Sequence, residues 1–478
     1  MTDVILILGN QLVPDHPALR KYPDARIVMI EADDICRQHR FHRHKLMLVL
    51  ASMRHYAAAS RREVAYVEYR PGSVFRTELG EQLDTYDATR LIWMQTSDRG
   101  PNAALEEIAA QHGCEPVTLA NRQFLTTPEQ FDGWLGEKSA PLMENFYRWQ
   151  RRRLDVLMDG GSPEGGRWNY DQENRHPLPR RRLKIPALPT TRRTRHVNDV
   201  AALVDEHFAD HPGRSDNFWL PTTREQAVRW LDAFVDERLE LFGRYEDAMA
   251  ADAPFLFHSV LSPLINLGLL LPEECIEAAV EAYRRGDAPL SSVEGFVRQI
   301  IGWREFMYGL YWCRADAFDA NFFGFRRTLE EWWYTNNSVP QELPAPVRVC
   351  LDRVHEYGYS HHIERLMVFG NWFLISGYQP REVYEWFMSM YVDAYEWVMV
   401  PNVMGMSQYA DGGMLATKPY IAGGNYLQKM GHWFDSAAAA KESEFTRRYW
   451  QFLADNDDKL AGNHRLALVL KQARARAT

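Results

Sequence analysis

Glu294 to Phe306, EGFVRQIIGWREF, is the stretch on which the reading of this chain turns. Wound as a helix, it sets Phe296, Ile300 and Trp303 on one apolar stripe and turns Glu294, Arg298 and Glu305 toward other groups. Two readings fit. One is an amphipathic core helix with a surface ion pair; the other is a helix whose glutamine, arginines and tryptophan line a cofactor cavity. The surrounding sequence has to choose between them.

On both sides the apolar residues keep spacings of three and four, over 224–250, 272–285, 292–313, 346–376, 380–398 and 444–456, and strand signals vanish after about residue 196. This half reads as all-helical. Upstream, residues 4–8 (VILIL), 26–30 (RIVMI), 64–69 (VAYVEY) and 91–94 (LIWM) are short apolar or alternating runs, separated by helix-like stretches such as His44 to Ala59. That order is expected of a small α/β domain with a mainly parallel, Rossmann-like sheet. The expected units are an α/β domain over 1–130, a linker with a basic loop over 131–195, rich in proline and glycine, and a large all-α domain over 196–478. Ligands of parallel sheets sit beyond the carboxyl ends of the strands, so Gly9, Asn10 and Gln11 after the first strand, and Glu31 after the second, are pocket candidates. No G-x-G-x-x-G follows the first strand, and a dinucleotide site of that type is not expected.

With 478 residues, 46% apolar and 25% charged, the chain has the balance of a globular protein with a large core. Its 15 Trp, 22 Tyr and 23 Phe are enough to line cavities as well as to pack helices. No run approaches the ~20 apolar residues that cross a bilayer, and the start MTDVILILGNQL has no basic n-region, so neither a membrane partner nor secretion is expected. Cys36, Cys114, Cys275, Cys313 and Cys350 are scattered, without a C-x-x-C pair, and read as buried thiols of a cytoplasmic protein. The net charge of −9 argues against nucleic acid. Its distribution does not, because RWQRRRL, RHPLPRRRLKIP and TTRRTRH between Arg148 and His196 concentrate positive charge, either as a solvated linker or as a grip on phosphates.

Four polar and aromatic clusters fall in the helical half. The first is FHSVLSPLINLGLL, 257–270, where His258, Ser259 and Ser262 mark a loop or helix start rich in N–H groups, which suits phosphate. The second is the opening segment. The third is HHIERLM, 361–367, which on a helix sets His361 and Arg365 on one face and His362 beside Leu366. The fourth is DAYEWVMVPNVMGMSQYADGG, 393–413, a helix end running into a glycine-rich loop. The His pair reads as a satisfied network or as a catalytic group; no carboxylate or cysteine spacing beside it completes a metal site, and no metal is expected there.

Together with TKPYIAGGNYLQKM, these clusters, SHHIERLMVFGNWFLISG, YVDAYEWVMVPNVMGMSQYADGG and the α/β start resemble the prokaryotic branch of the photolyase/cryptochrome family, best known as bacterial (6-4) photolyases. The similarity runs from LILGNQL through GGRWNYDQENR to NHRLA. It implies FAD in the helical domain, at the bottom of a cavity that admits a flipped-out lesion of UV-damaged DNA. By position, His258, Ser259 and Ser262 would meet the FAD phosphates and ribityl chain, while Gln299, Trp303, Arg304 and Glu305 would surround the flavin with Arg365. Asp393 would accept hydrogen bonds from its edge, and Asn402 would lie near its reactive nitrogen. His361 and His362 match a lesion-pocket pair, with His362 as proton donor. Met406, Tyr420 and Lys418 would form pocket walls and a DNA-facing loop, and Arg180, Arg181 and Arg182 would seat the duplex by phosphate contacts. Trp386 and Tyr395 are the expected electron relay, although Phe387 stands where the family often has an oxidisable tyrosine.

The chain departs from the branch in its cysteines. A four-thiolate cluster needs four ligands, yet the first aligned position falls near Pro346, Cys350 is about one turn too close, and GHWFDSAAAAKESEFTRRYW holds no cysteine. No iron–sulfur cluster is expected. A 6,7-dimethyl-8-ribityllumazine antenna is the family's second pigment, with Gly9, Asn10, Gln11, Glu31 and Val49 as candidate lining, although EADDICRQHR differs from the family pattern. The leading expectation is a monomeric (6-4) photolyase. The alternatives are a signalling cryptochrome without repair activity and a flavoprotein that only binds nucleic acid.

Overall fold

The apolar runs at the start of the chain form five parallel strands: β1 (Thr2–Leu6), β2 (Arg26–Ile30), β3 (Val64–Val67), β4 (Ala88–Met94) and β5 (Glu115–Leu119), in the order β3-β2-β1-β4-β5. Ile5, Ile27, Met29 and Ile92 enter one core and Val4, Leu6, Val28, Leu91 and Trp93 another, all at most 2% exposed. Burial on both faces is why these strands read as nearly continuous apolar runs. The computed structural model describes residues 2–138, 140–179 and 183–477. The triplet Arg180, Arg181 and Arg182, expected at the DNA, lies outside the described residues.

The order of strands reverses between β1 and β4, and the crevice at their carboxyl ends is the usual ligand site of such a sheet. Here the helical half docks into it. The Leu12 N–H donates to the Leu267 carbonyl (2.8 Å), and the Gln123 side-chain amide donates to the carbonyls of Asn10 (2.9 Å) and Asn266 (3.1 Å). Gly268, with φ +84°, lets the two halves approach: a Cβ there would lie 2.8 Å from Val13 Cγ1.

The stretch expected as a linker carries structure of its own. Helices Pro128–Leu135 and Met143–Leu154 pack on the segment 298–318, and a short hairpin follows at Met158–Asp159 and Ser162–Pro163. Beyond residue 196 the described residues contain helices and a single isolated bridge, Arg327 to Tyr378, but no strand. Two helices expected to be continuous are broken. The run expected over 346–376 stops at Tyr357, turns through Gly358 (φ +63°) and resumes as a wide π-helical turn, Glu364–Gly370. The run expected over 380–398 stops at Met390 and restarts at Glu396. No helix of the described residues is long and apolar enough to cross a membrane.

Candidate functional site

Glu294 to Phe306 lies inside one long helical rod, α-helical over Leu290–Val297, π-helical over Arg298–Arg304 and α-helical again from Glu305. The wide turn splits its charged residues between two neighbours. At one end the Tyr147 hydroxyl (2.7 Å) and the Tyr170 N–H (3.0 Å) donate to Glu294, and Arg298 pairs with Glu144 at 3.3 Å. At the other, the N–H groups of Leu125 and Thr126 donate to Glu305 (2.8 Å each), and Arg304 donates to the Gln123 carbonyl (2.8 Å) with its guanidinium over Phe124. Burial pushes the Glu305 carboxyl up to about 7, against the pull of Arg304 and the two amides. Arg304 and Glu305 were expected around a flavin; the structure aims them at the 123–126 connection, where loop N–H groups need an acceptor. Gln299 and Trp303, four residues apart, stay on the half-open side of the rod, and Gln299 donates to Glu246 (2.6 Å).

The two broken helices build the centre of the site. Their ends bring Arg365 and Asp393 together in a two-pronged pair (2.9 and 3.0 Å), and the Ser262 hydroxyl donates to the same carboxylate (2.6 Å). Arg365 also donates to the Ser360 carbonyl (2.7 Å) and lies over the Tyr391 ring at 4.2 Å. Ser262 opens a helix of only six residues, and its hydroxyl is engaged by Asp393 rather than free for a phosphate. The Asp393 loop is braced from the α/β half as well. The buried Lys45 ammonium donates to the Ala394 carbonyl (2.5 Å), and the Trp397 N–H donates to the Asp98 carboxylate (2.8 Å). Burial lowers Lys45 to about 7 and raises Asp98 to about 7. Neither residue stands out in the sequence, because each sits in an ordinary amphipathic context and finds its partner across the domain boundary.

His258 and His361 stack face to face, centroids 4.3 Å apart at 12°. Burial, then the neighbouring His361, His362 and Arg238, hold His258 well below the ordinary imidazole range. His361 is sealed, with Nε2 3.4 Å from the Glu364 carboxylate but without hydrogen-bond geometry. His362 is exposed; its close-packed surroundings, then Arg365 and His361, lower it to about 4. Ser259 lies beside His258, with its hydroxyl oxygen accepting from Leu261 N–H (3.5 Å). Met406 is buried, Tyr420 half-buried and Lys418 exposed. Asn402 donates to the Val398 carbonyl (2.7 Å). A charged rim that the sequence did not flag lies near Tyr420: Arg175, bonded to Asp171, stands 3.9 Å from Asp247, whose carboxyl burial raises to about 6.

Trp386 and Tyr395, expected in one relay, lie in different aromatic clusters. Trp386 contacts Tyr391, Phe387 and Trp333, whereas Tyr395 packs under the Lys45 ammonium at 5.0 Å. The helix break at Met390 separates them.

The residues expected to line an antenna are mostly engaged within the α/β half. Glu31 receives Arg54 through two bonds (2.8 Å each), the Tyr66 hydroxyl (2.6 Å) and the Tyr69 N–H (3.0 Å), which engage both oxygens. Gly9 presses on the helix Arg43–Ala59: a Cβ there would lie 2.8 Å from Met53 Sδ and 2.9 Å from Val49 Cγ1. Asn10 donates to Ser97 and Gln11 to the carbonyls of Met94 and Gln95. Gln11 Oε1 stays buried without a hydrogen-bond partner. For the thiolates of an iron–sulfur cluster, no cysteine follows Cys350, which is fully buried.

A flavin is a better fit. His258 Nε2 and both ring nitrogens of His361 are buried without a hydrogen-bond partner. Leaving such an atom unpaired costs about 1–3 kcal/mol, so together they are set for a polar ligand. The Arg365–Asp393 pair and the half-open Gln299 and Trp303 supply the remaining polar and aromatic contacts such a ligand needs.

The sequence pattern of the deoxyribodipyrimidine photo-lyase-related protein family matches residues 5–220. A (6-4) photolyase from Agrobacterium fabrum is 39% identical over 488 aligned positions, covering 98% of this chain and 94% of that protein. A shorter uncharacterized protein of Acanthamoeba polyphaga mimivirus is 37% identical over 118 residues, 24% of this chain and 87% of the viral one. Among solved structures, a class III photolyase from Agrobacterium tumefaciens covers 99% of this chain and 91% of its own, with TM-score 0.58 and 16% identity. A Synechocystis cryptochrome covers 94% and 88%, with TM-score 0.57 and 12% identity. The two structural likenesses speak to the fold.

Proposed function

The chain belongs to the prokaryotic branch of the photolyase/cryptochrome family, and on that premise we propose that it is a light-driven (6-4) photolyase that carries FAD in its helical half. The observation that carries the reading is the junction of the two broken helices, where His361 and His362 stand beside the Arg365–Asp393 pair. His258, Gln299, Trp303, Arg365 and Asp393 are the residues that would hold the flavin, with Asn402 beside them. When bound and reduced, FAD supplies on illumination the electron that opens the lesion. The chain's own residues do the rest. Ser262 and Arg365 fix the Asp393 carboxylate in one orientation, and Lys45 and Asp98 brace its loop.

His362 is placed to give a proton because it meets solvent beside the Arg365–Asp393 pair. In the free protein it is neutral near pH 7; the phosphates of bound DNA raise its pKa by the attraction that any anion exerts on an imidazolium. Tyr420, Lys418 and the basic linker including Arg180, Arg181 and Arg182 are assigned to the DNA, with contacts that position rather than specify. All of these residues come from one chain, so a monomer suffices. The reading includes no iron–sulfur cluster.

The test pairs the flavin-loaded protein with its His362→Asn variant on a duplex carrying one (6-4) lesion, under blue light. The variant is expected to bind the duplex normally and to lose repair by about 100-fold or more, the usual share of a general acid. Equal repair by both proteins would remove His362 from its role. Repair of no lesion by the parent would favour the photoreceptor reading.

A further inference from the structure

A line of rings leads from the Arg365–Asp393 pair to the surface. Tyr391, beneath the Arg365 guanidinium, has its ring centre 5.8 Å from that of Trp386; Trp386 is 5.8 Å from Trp333, and Trp333 stacks on Trp332 at 4.3 Å. Trp386 and Trp333 are fully buried, whereas Trp332 reaches solvent. Phe387 lies to the side, stacked on Tyr391 at 5.1 Å, and is not needed in the line.

The surroundings of Trp333 differ from those of Trp386. The Trp386 indole N–H donates to a backbone carbonyl, that of Trp333 (3.0 Å), which has no use for a proton. The Trp333 indole N–H is shared between the Glu330 carboxylate and the Tyr378 hydroxyl, at 3.3 Å each. Tyr378 in turn donates to the same Glu330 oxygen (2.7 Å), and Arg327 holds the other (2.6 Å). Burial opposes ionisation of Glu330, but the Tyr378 hydroxyl and Arg327 more than offset it and hold the carboxyl below its ordinary value. A fixed carboxylate therefore faces the one nitrogen whose acidity rises when the indole loses an electron, and opposite charges at this range attract strongly.

We propose that Trp333 is where the oxidising equivalent rests after the bound flavin is photoreduced, and that the Glu330 carboxylate holds it there by accepting the indole proton. The inference rests on the flavin reading above. One electron passes from Trp386 to the photoexcited oxidised flavin, and Trp333 returns one electron to Trp386. The proton leaves Trp333 Nε1 for Glu330 Oε2, which leaves a neutral indolyl radical and a carboxylic acid. A small thiolate then gives one electron through Trp332, becoming a thiyl radical, and the proton returns from Glu330 to Nε1. Glu330 acts here as a positioning group, because it touches Trp333 and not the flavin.

Flash photolysis of the flavin-loaded protein, read in the visible absorption of tryptophan radicals, tests this directly. The parent is expected to form a long-lived deprotonated radical. Glu330→Gln keeps shape and hydrogen bond but cannot take the proton, so the radical is expected to keep the cation spectrum and to decay at least about tenfold faster. Glu330→Asp is expected to restore the deprotonated spectrum in part, and Trp333→Phe to abolish the long-lived signal while FAD remains bound. Unchanged spectra and lifetimes in Glu330→Gln, with the parent photoreduced normally, would overturn this inference alone. A parent protein that fails to bind FAD would overturn the functional reading together with it.

Discussion

Arg365→Met isolates the interaction that organises the site. The substitution keeps most of the side-chain stem but removes both bonds to Asp393, the bond to the Ser360 carbonyl and the cation over Tyr391. Asp393, whose side chain is 6% exposed, would keep only the Ser262 hydroxyl. Breaking a buried pair from one side costs about 3–5 kcal/mol, mostly the penalty of the charge left behind. Unfolding entropy near 2.1 cal/mol/K per residue amounts to about 1 kcal/mol/K for a chain of this length, so calorimetry should find Tm lower by about 3–5 °C. Adding Asp393→Asn removes the stranded charge and should recover about half of that loss, with a coupling energy of about 1–3 kcal/mol in the double-mutant cycle. Both variants should release FAD faster than the parent. A fall of less than 1 °C, about a third of the smallest expected, or a double variant no more stable than Arg365→Met, would refute the claim that this pair holds the two broken helices together.

Glu305 gives a pH signature. Its folded-state carboxyl is raised from 4.5 to about 7, so its contribution to stability is full below pH 4.5 and lost as pH rises through 7, by about 3 kcal/mol. Glu305→Gln should flatten that part of the Tm profile between pH 5 and 8; an unchanged slope would mean that Arg304 compensates the charge. Gly309 faces the Phe131 ring so closely that a Cβ has no room, and Gly309→Ala should cost about 1–3 kcal/mol by overpacking, read as a lower Tm. Metal analysis of the purified protein should find no stoichiometric iron and sulfide, and a chelator should leave Tm unchanged.

The sheet was legible because burial on both faces leaves an unambiguous pattern: VILIL and LIWM could hardly lie at a surface. The site was only half legible. Apolar spacing runs straight through Gly358–Ser360 and Tyr391–Ala394, so the sequence predicts two unbroken helices where the structure places the breaks that join Arg365 to Asp393. Resemblance pointed to His361, His362 and Asp393, and to Arg304 and Glu305, but it did not announce what the last two bond to in the protein. Their partners are backbone groups at Gln123, Leu125 and Thr126, and no side-chain pattern announces a carboxylate that serves a distant loop. Lys45, Asp98 and Glu330 escaped for a related reason. Each looks like a solvated charge on its own element and acquires meaning only from what packs against it.

The central claim is that the helical half turns light into repair of one lesion type. The most direct measurement is the fraction of (6-4) and of cyclobutane lesions restored in matched oligonucleotides by the reduced, flavin-loaded protein under blue light and in the dark. The account predicts restoration of the (6-4) lesion in light only, with the cyclobutane lesion left intact. Restoration in the dark, or of cyclobutane dimers alone, would contradict it.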